Sequence, residues 1–419
     1  MIIKYIIYSF LLLFSIETIA QTNSLSSSPY SLYGLGQTNE ISTGKINGLG
    51  KSGIAMPSST FINNSNPASF ASIPLNSFFY DFGFKAETNI LMENGRQNSN
   101  LITNFSNIAI AFPLSKTSGF GVTLTPFTSV GYTLSNIESN IEGSTYSFYT
   151  DVDGGGGINN LKLNYGYALS NKFRLGLTGS VLFGKITQTQ TSTIPLIANN
   201  TVSTSTISLY DENYYSGFRL GSGLQYDISK NMTFGAIVNL PATLSADNDR
   251  TATSSTETIE SSVSISNIDD FKLPLELGFG FQSKFNESFS LTLDYKKNFW
   301  DNTNQSDQLG TYVNQDFFGL GLQYSAKKSI PKFFNSLEYR AGFNYDNGNL
   351  EVNNKRVKNQ SINLGIGMPL NSSSNSMINI GYSYGSKGQI TNGLIKENYH
   401  LLSINLSLEG IWFQKRKID

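Results

Sequence analysis

The sequence predicts an all-β fold, a transmembrane antiparallel β-barrel of about fourteen strands. Three observations predict it. From Ser77 onward apolar residues alternate with small or polar ones, the connections alternate between short and long, and the composition is poor in charge and rich in aromatics. Charged residues are 14% and aromatics 13% of the 419 residues, where soluble domains carry about 25% charge. Mean hydropathy is only mildly negative, as expected when lipid-facing and lumen-facing side chains average out. A secreted solenoid or sandwich fits the composition equally well, so the pattern has to decide.

Alternation with a period of two marks a strand with two different faces. Phe173, Leu175, Leu177, Val181 and Phe183 alternate with Arg174, Gly176, Thr178, Ser180 and Gly184. Leu275, Leu277, Phe279 and Phe281 enclose Glu276, Gly278 and Gly280, and Leu402, Ile404, Leu406 and Leu408 enclose Ser403, Asn405 and Ser407. Such segments start near Ser77, Thr103, Gly119, Gly157, Phe173, Tyr214, Met232, Leu273, Phe289, Gln315, Ser336, Gln360, Met377 and Tyr399. Their lengths match the roughly 9–11 residues of a tilted membrane strand. An even number is what bacterial single-chain barrels have.

Short turns are expected at residues 113–118, 169–172, 227–231, 283–288 and 370–376. Between them lie long polar passages, such as residues 134–156, 188–213 and 242–272. Outer-membrane barrels have short periplasmic turns and long external loops. That places the chain in the cell outer membrane with both termini in the periplasm. Residues 326–335, with Ile330-Pro331 and Phe333-Phe334, are long for a periplasmic turn and suit a cover on the barrel base or a contact with a partner. Trp300, Trp412 and Phe413, near strand ends, suit interfacial girdles.

Residues 1–20 read as a secretory signal peptide, with Lys4, an apolar run over residues 5–16 and a small residue at Ala20 before Gln21. The run is shorter than the roughly 20 residues of a spanning helix. The chain has no cysteine, which excludes a lipoprotein anchor and disulfides. The expected division is signal peptide 1–20, N-terminal segment 21–76, barrel 77–413 and a tail at 414–419 carrying Lys415, Arg416 and Lys417.

Within the N-terminal segment, residues 47–74 stand apart. Gly48, Gly50 and Gly53 permit backbone shapes that larger residues resist, and Asn63, Asn64, Asn66 and Pro67 are rich in turn formers. A compact, irregular piece packed inside something larger is expected. The glycine spacing also matches a dinucleotide fingerprint, but that motif needs a buried strand before it and a helix after it. Polar residues 40–46 precede it and Met56-Pro57 follows, so nucleotide binding is set aside.

Gly48 to Ala55 together with Asn66-Pro67-Ala68 resembles the N-terminal plug of the FadL-type outer-membrane transporters of long-chain fatty acids and hydrocarbons. Ser28 to Gly36 resembles the mature start of relatives from the Bacteroidota. The resemblance implies a plug, Gly48, Gly50, Gly53, Asn66, Pro67 and Ala68 among its residues, inside a fourteen-stranded barrel. It also implies passive uptake of small hydrophobic molecules, with membrane lipid and hydrophobic ligand as the partners.

Pro126 falls in the middle of the third strand. Proline cannot donate to a sheet ladder, and in lipid unpaired backbone is tolerated only where protein or a watery cavity satisfies it. A break turned inward is expected at Thr125, Pro126 and Phe127. In FadL-type transporters a kink in the third strand opens a sideways exit, so the resemblance implies lateral exit there. An ordinary bulge sealed by its neighbours is the alternative.

Other chemistry is excluded by what is missing. His400 is the one histidine, which with the lack of cysteine removes thiol catalysis and His/Cys zinc sites. No nucleophile-elbow motif accompanies it. No enzyme activity and no cofactor are expected. A net charge of −1 gives no field toward nucleic acid. Asp151 and Asp153 beside Gly154 to Gly157 lack a full calcium-loop pattern and read as a mobile external loop. Arg174, Arg219, Glu276, Asp294, Lys296, Glu338 and Arg340 fall on the lumen phase of their strands. They either pair with one another and the plug or hold a substrate headgroup. Two functions remain: uptake of hydrophobic molecules, or a non-transporting barrel subunit of a larger outer-membrane protein assembly or secretion complex.

Overall fold

The computed structural model describes residues 26–39, 42–93, 95–140, 147–198, 201–255, 261–265, 268–305, 310–326, 333–371, 374–391 and 394–411. The signal peptide with Gln21, the tail, Trp412, Phe413 and residues 327–332 lie outside them.

Fourteen antiparallel strands close into one barrel. They are β1 (Ser77–Glu93), β2 (Arg96–Pro113), β3 in two pieces (Ser118–Pro126 and Thr128–Asn140), β4 (Ser147–Ala168), β5 (Phe173–Ala198) and β6 (Thr201–Ser229). Next come β7 in two pieces (Met232–Asn239 and Ala242–Ser254), β8 in two pieces (Phe271–Leu273 and Glu276–Lys284), β9 (Phe289–Asn298) and β10 (Gln315–Ser325). The ring is completed by β11 (Glu338–Asp346), β12 (Asn359–Pro369), β13 (Met377–Lys387) and β14 (Lys396–Ile411). Each strand pairs with its neighbours in sequence, and β14 returns to β1 from Ser77↔Ile411 to Met92↔Lys396. Closure pairs the strands with one another around the ring, the condition for a sheet to sit in lipid, except on one side of residues 96–107.

The expected long loops are a correction. Residues 188–198 pair with 201–211, and 134–140 with 147–152, so most of those polar passages are strand. Thr, Ser and Gln alternate there without an apolar phase because both faces lie beyond the bilayer. Asp151, Asp153 and Gly154 to Gly157 likewise sit inside β4, paired to β3 and β5, and form no mobile loop. Asp151 accepts from the Asn136 N–H at 2.8 Å and Asp153 from the Thr133 hydroxyl at 2.6 Å.

Outward faces carry the apolar phase. Leu175, Leu177, Val181 and Phe183 are exposed, and the row ends at Lys185, which pairs with Glu212 at 2.6 Å. Near the short-turn rim, paired rings such as Phe78 stacked on Phe112 and Phe289 tilted against Tyr324 form an aromatic belt. His400 joins an outward cluster, its Nδ1 2.7 Å from the Tyr382 hydroxyl. Trp300 belongs to no belt. It is 8% exposed, stacks on Tyr312 and meets Phe271 edge to face in the main apolar cluster.

Three strands are broken, each at a proline. The ladder of β3 stops at Pro126 and resumes at Thr128. That of β7 is interrupted at Pro241 and that of β8 at Pro274.

Candidate functional site

The N-terminal segment packs against the inward faces of the strands. Ile46, Leu49, Ile54, Ile62, Ala68 and Phe70 are at most 1% exposed, each large one contributing about 1.5–3 kcal/mol by burial. Glycines on both partners let backbone meet backbone. Gly48 lies against Gly365, where an added Cβ would come within 2.9 Å of its Cα. Gly50 has φ +61°, and its would-be Cβ points at the carbonyls of Leu320 and Phe343, 2.3 and 2.5 Å away. Only glycine fits both demands.

Asn66, Pro67 and Ala68 start a short 3-10 helix, Pro67–Ser72. The Asn66 side chain accepts from the Ala68 N–H at 3.0 Å and donates to the carbonyls of Ile54 and Leu224 at 2.8 and 3.0 Å. Pro67 presses on Gly176, and the Asn66 amide oxygen presses on Gly223. Asn66→Leu therefore removes the Ala68 N–H's acceptor and one donor each from the Leu224 and Ile54 carbonyls, the latter keeping Gln225, and each polar group left unpaired costs about 1–3 kcal/mol. The expected outcome is a fall in the heat-unfolding midpoint with the strand content unchanged, read by circular dichroism.

The wall also grips the segment through polar side chains. Asp294 accepts from the Gly53 and Ile54 N–H groups at 2.6 and 3.0 Å. Gln225 donates to the carbonyls of Ile54 and Met56 at 3.0 and 2.9 Å. Asp81, fully buried, accepts from Asn107, Asn405 and the Gly44 N–H at 2.6, 2.9 and 3.3 Å. Asp81 and Gln225 escaped the sequence reading, although both stand on the inward phase of their strands.

The lumen charges do not form one cluster. Arg174 forks onto Asp227 at 2.8 and 2.6 Å near the short-turn rim. Arg340 pairs with Glu338 and donates to Asn379 at 2.8 Å, and Lys45 of the segment lies 3.9 Å from Glu338. Burial presses the Lys45 ammonium toward its neutral form, and Glu338 opposes it. Lys296 sits over the Phe317 ring at 4.4 Å, and Glu276 accepts from Asn239 at 2.6 Å.

Arg219 has a different task. It donates to the Leu240 carbonyl at 2.9 Å and to the Pro274 carbonyl at 2.6 Å, clasping the breaks of β7 and β8 together. A guanidinium offers several donors in a fixed fork, which is what two divergent carbonyls need.

At the β3 break, Thr125 and Pro126 still pair with Asn160 and Asn159, and Phe127 falls outside the ladder. Phe127 donates its N–H to Ile158 and accepts from the Asn39 N–H, at 2.7 and 2.9 Å. The short strand Gln37–Thr38 pairs with Ser129 and Thr128. The chain's own backbone thus occupies the edge that the break frees. A cavity of about 150 Å³ adjoins Thr125, Pro126 and Phe127. Lys51, Lys162, Arg219, Glu276, Asp294 and Lys296 line it. A second, of about 110 Å³, lies by Tyr30, Lys85, Glu87 and Tyr399.

A family model, BamG, matches residues 1–419. The chain belongs to the BamG family. No curated protein matches the sequence of this BamG-family member. Among solved structures it is similar to the Pseudomonas putida toluene transporter TodX, at 15% identity and a TM-score of 0.58 over 91% of this chain and 100% of that one. CymD, described as a monoaromatic hydrocarbon channel, gives 15% and 0.57 over 91% and 100%. A Pseudomonas aeruginosa FadL homologue gives 12% and 0.57 over 87% and 98%. At these identities the likeness is one of fold: the described residues of this BamG-family chain close into a fourteen-stranded barrel similar to those of these channels.

Proposed function

We propose that this barrel is a non-transporting subunit of a larger outer-membrane protein assembly, with residues 26–73 as a fixed plug. One observation carries the reading: the segment is held backbone to backbone on glycines around the ring, the two cavities described beside it are small and lined with charge, and a third, by Leu35, Phe127, Phe271 and Trp300, holds only about 60 Å³. Sites for apolar ligands are lined mainly by apolar and aromatic side chains. An apolar molecule crossing here has to desolvate ammonium, guanidinium and carboxylate groups without pairing them, which is unfavourable. Both termini lie in the periplasm in this reading, since the start of β1 and the end of β14 share the short-turn rim.

A second reading is uptake of small hydrophobic molecules with lateral exit beside Thr125, Pro126 and Phe127. It is favoured by the broken β3, by the cavity adjoining the break, and by fold likeness to proteins described as toluene and hydrocarbon transporters. Residues 37–39 are then a gate. Purification from native membranes in mild detergent separates the two. A stoichiometric protein partner with no bound apolar molecule is expected. A monomer carrying a hydrophobic compound, identified by mass spectrometry, contradicts the subunit reading.

A further inference from the structure

The break in β3 leaves a long stretch of β2 without a strand partner on one side. β2 pairs with β1 along nearly its whole length, from Phe79↔Ala111 to Glu93↔Arg96. On its other side it pairs with β3 only from Pro113↔Gly119 to Ile108↔Leu124. Among the described residues, no strand pairs with that side of residues 96–107.

The facing edge of β3 is blunted. Gln37–Thr38 covers its base, and a register shift between Leu134 and Ile137, with Asn136 at φ +59°, twists the remainder. Bulges are a standard way to protect an edge. The β2 edge is defended only at its ends: the Asn98 and Asn104 side chains accept from the Ser99 and Phe105 N–H groups at 2.8 Å each, and a register shift leaves Ser106 over just past residues 96–105. Within that span its register is unbroken, it holds no proline or lysine, and Leu101 is 68% exposed on its outer face. A regular edge without a strand partner is a template for another strand.

We infer that residues 96–105 of β2 take up an extended segment of a partner protein by β-augmentation. The inference rests on the subunit reading and adds to it where and how the partner binds. The chain shows the mode itself, because Gln37–Thr38 joins the other side of the same break as a strand. Main-chain hydrogen bonds supply affinity in this mode, and alternate side chains supply selection. Leu101 and Thr103 stand on one phase of β2, opposite Thr88 and Ala86, and meet the partner's outward row.

The test places a photo-crosslinking residue at Leu101 or Thr103 in the full chain in native membranes. The control is Leu177, outward-facing on a strand paired on both sides. Adducts with one discrete protein are expected at the edge positions and not at Leu177. The crosslinker is then moved to Ser99, on the same phase, and proline is introduced at Ile102 and Asn104, and separately at Leu101 and Thr103, with alanine as control. Variants that keep the heat-modifiable gel shift of a folded barrel are compared. The set whose N–H groups face outward should lose the adduct about tenfold, while alanine leaves it unchanged. An adduct to a partner that survives both proline sets overturns the augmentation and keeps the subunit reading. An adduct to the chain's own residues 21–25 overturns the inference, as does no adduct while a partner still co-purifies. No adduct and no co-purifying partner sinks both.

Discussion

Gly342→Val should unseat the N-terminal segment. A Cβ there would lie 2.0 Å from the Gly50 nitrogen and 2.6 Å from the Leu49 carbonyl carbon. Both are backbone atoms in a segment anchored on either side, so no flexible side chain can yield. Overpacking of this kind typically costs about 1–3 kcal/mol, occasionally more, and here it opposes the burial of Leu49 and Ile54. The expected result is cleavage by trypsin at Lys45 or Lys51 about tenfold faster or more, with the barrel core resisting as before. Gly179→Val is the matched control: its Cβ would meet only the Phe218 ring at 3.4 Å, and protease resistance should not change.

The second large effect belongs to Arg219→Met. The substitution keeps the apolar stem and leaves the Leu240 and Pro274 carbonyls without their donor. Each unsatisfied carbonyl costs about 1–3 kcal/mol, and both lie where the ladders of β7 and β8 are already interrupted. Hydrogen exchange should accelerate around residues 240–242 and 274–276 while β12 to β14 stay protected. Arg219→Lys should recover only part of the protection, because an ammonium lacks the fork that reaches both carbonyls. Equal exchange in all three proteins would show that the clasp does not hold the wall.

Much of this barrel is written plainly in the chain. Where one face meets lipid, as from Phe173 to Phe183, apolar side chains mark every second residue. The expected starts at Ser77, Phe173, Met232, Phe289, Gln315 and Met377 are the observed ones. The outer halves of β5 and β6 were illegible for the converse reason. With no lipid on either face, Thr, Ser and Gln serve both phases, and a paired strand reads as a polar loop. Pro126 signalled the β3 break because a missing N–H is visible in any sequence. Pro241 and Pro274 carry the same signal, yet their meaning depends on Arg219, which reaches them from β6. In the N-terminal segment, Gly48 and Gly50 announced irregular backbone. The glycines that receive them, Gly365 and Gly342, looked like ordinary small residues of an alternating strand.

Single-channel conductance of the purified chain in planar bilayers tests the sealed lumen most directly. The full-length protein should insert without measurable ion current, and Gly342→Val should show open steps of the size expected for a fourteen-stranded pore freed of its plug. Steady conductance by the unaltered chain, or silence from a variant whose segment is demonstrably displaced, would contradict it.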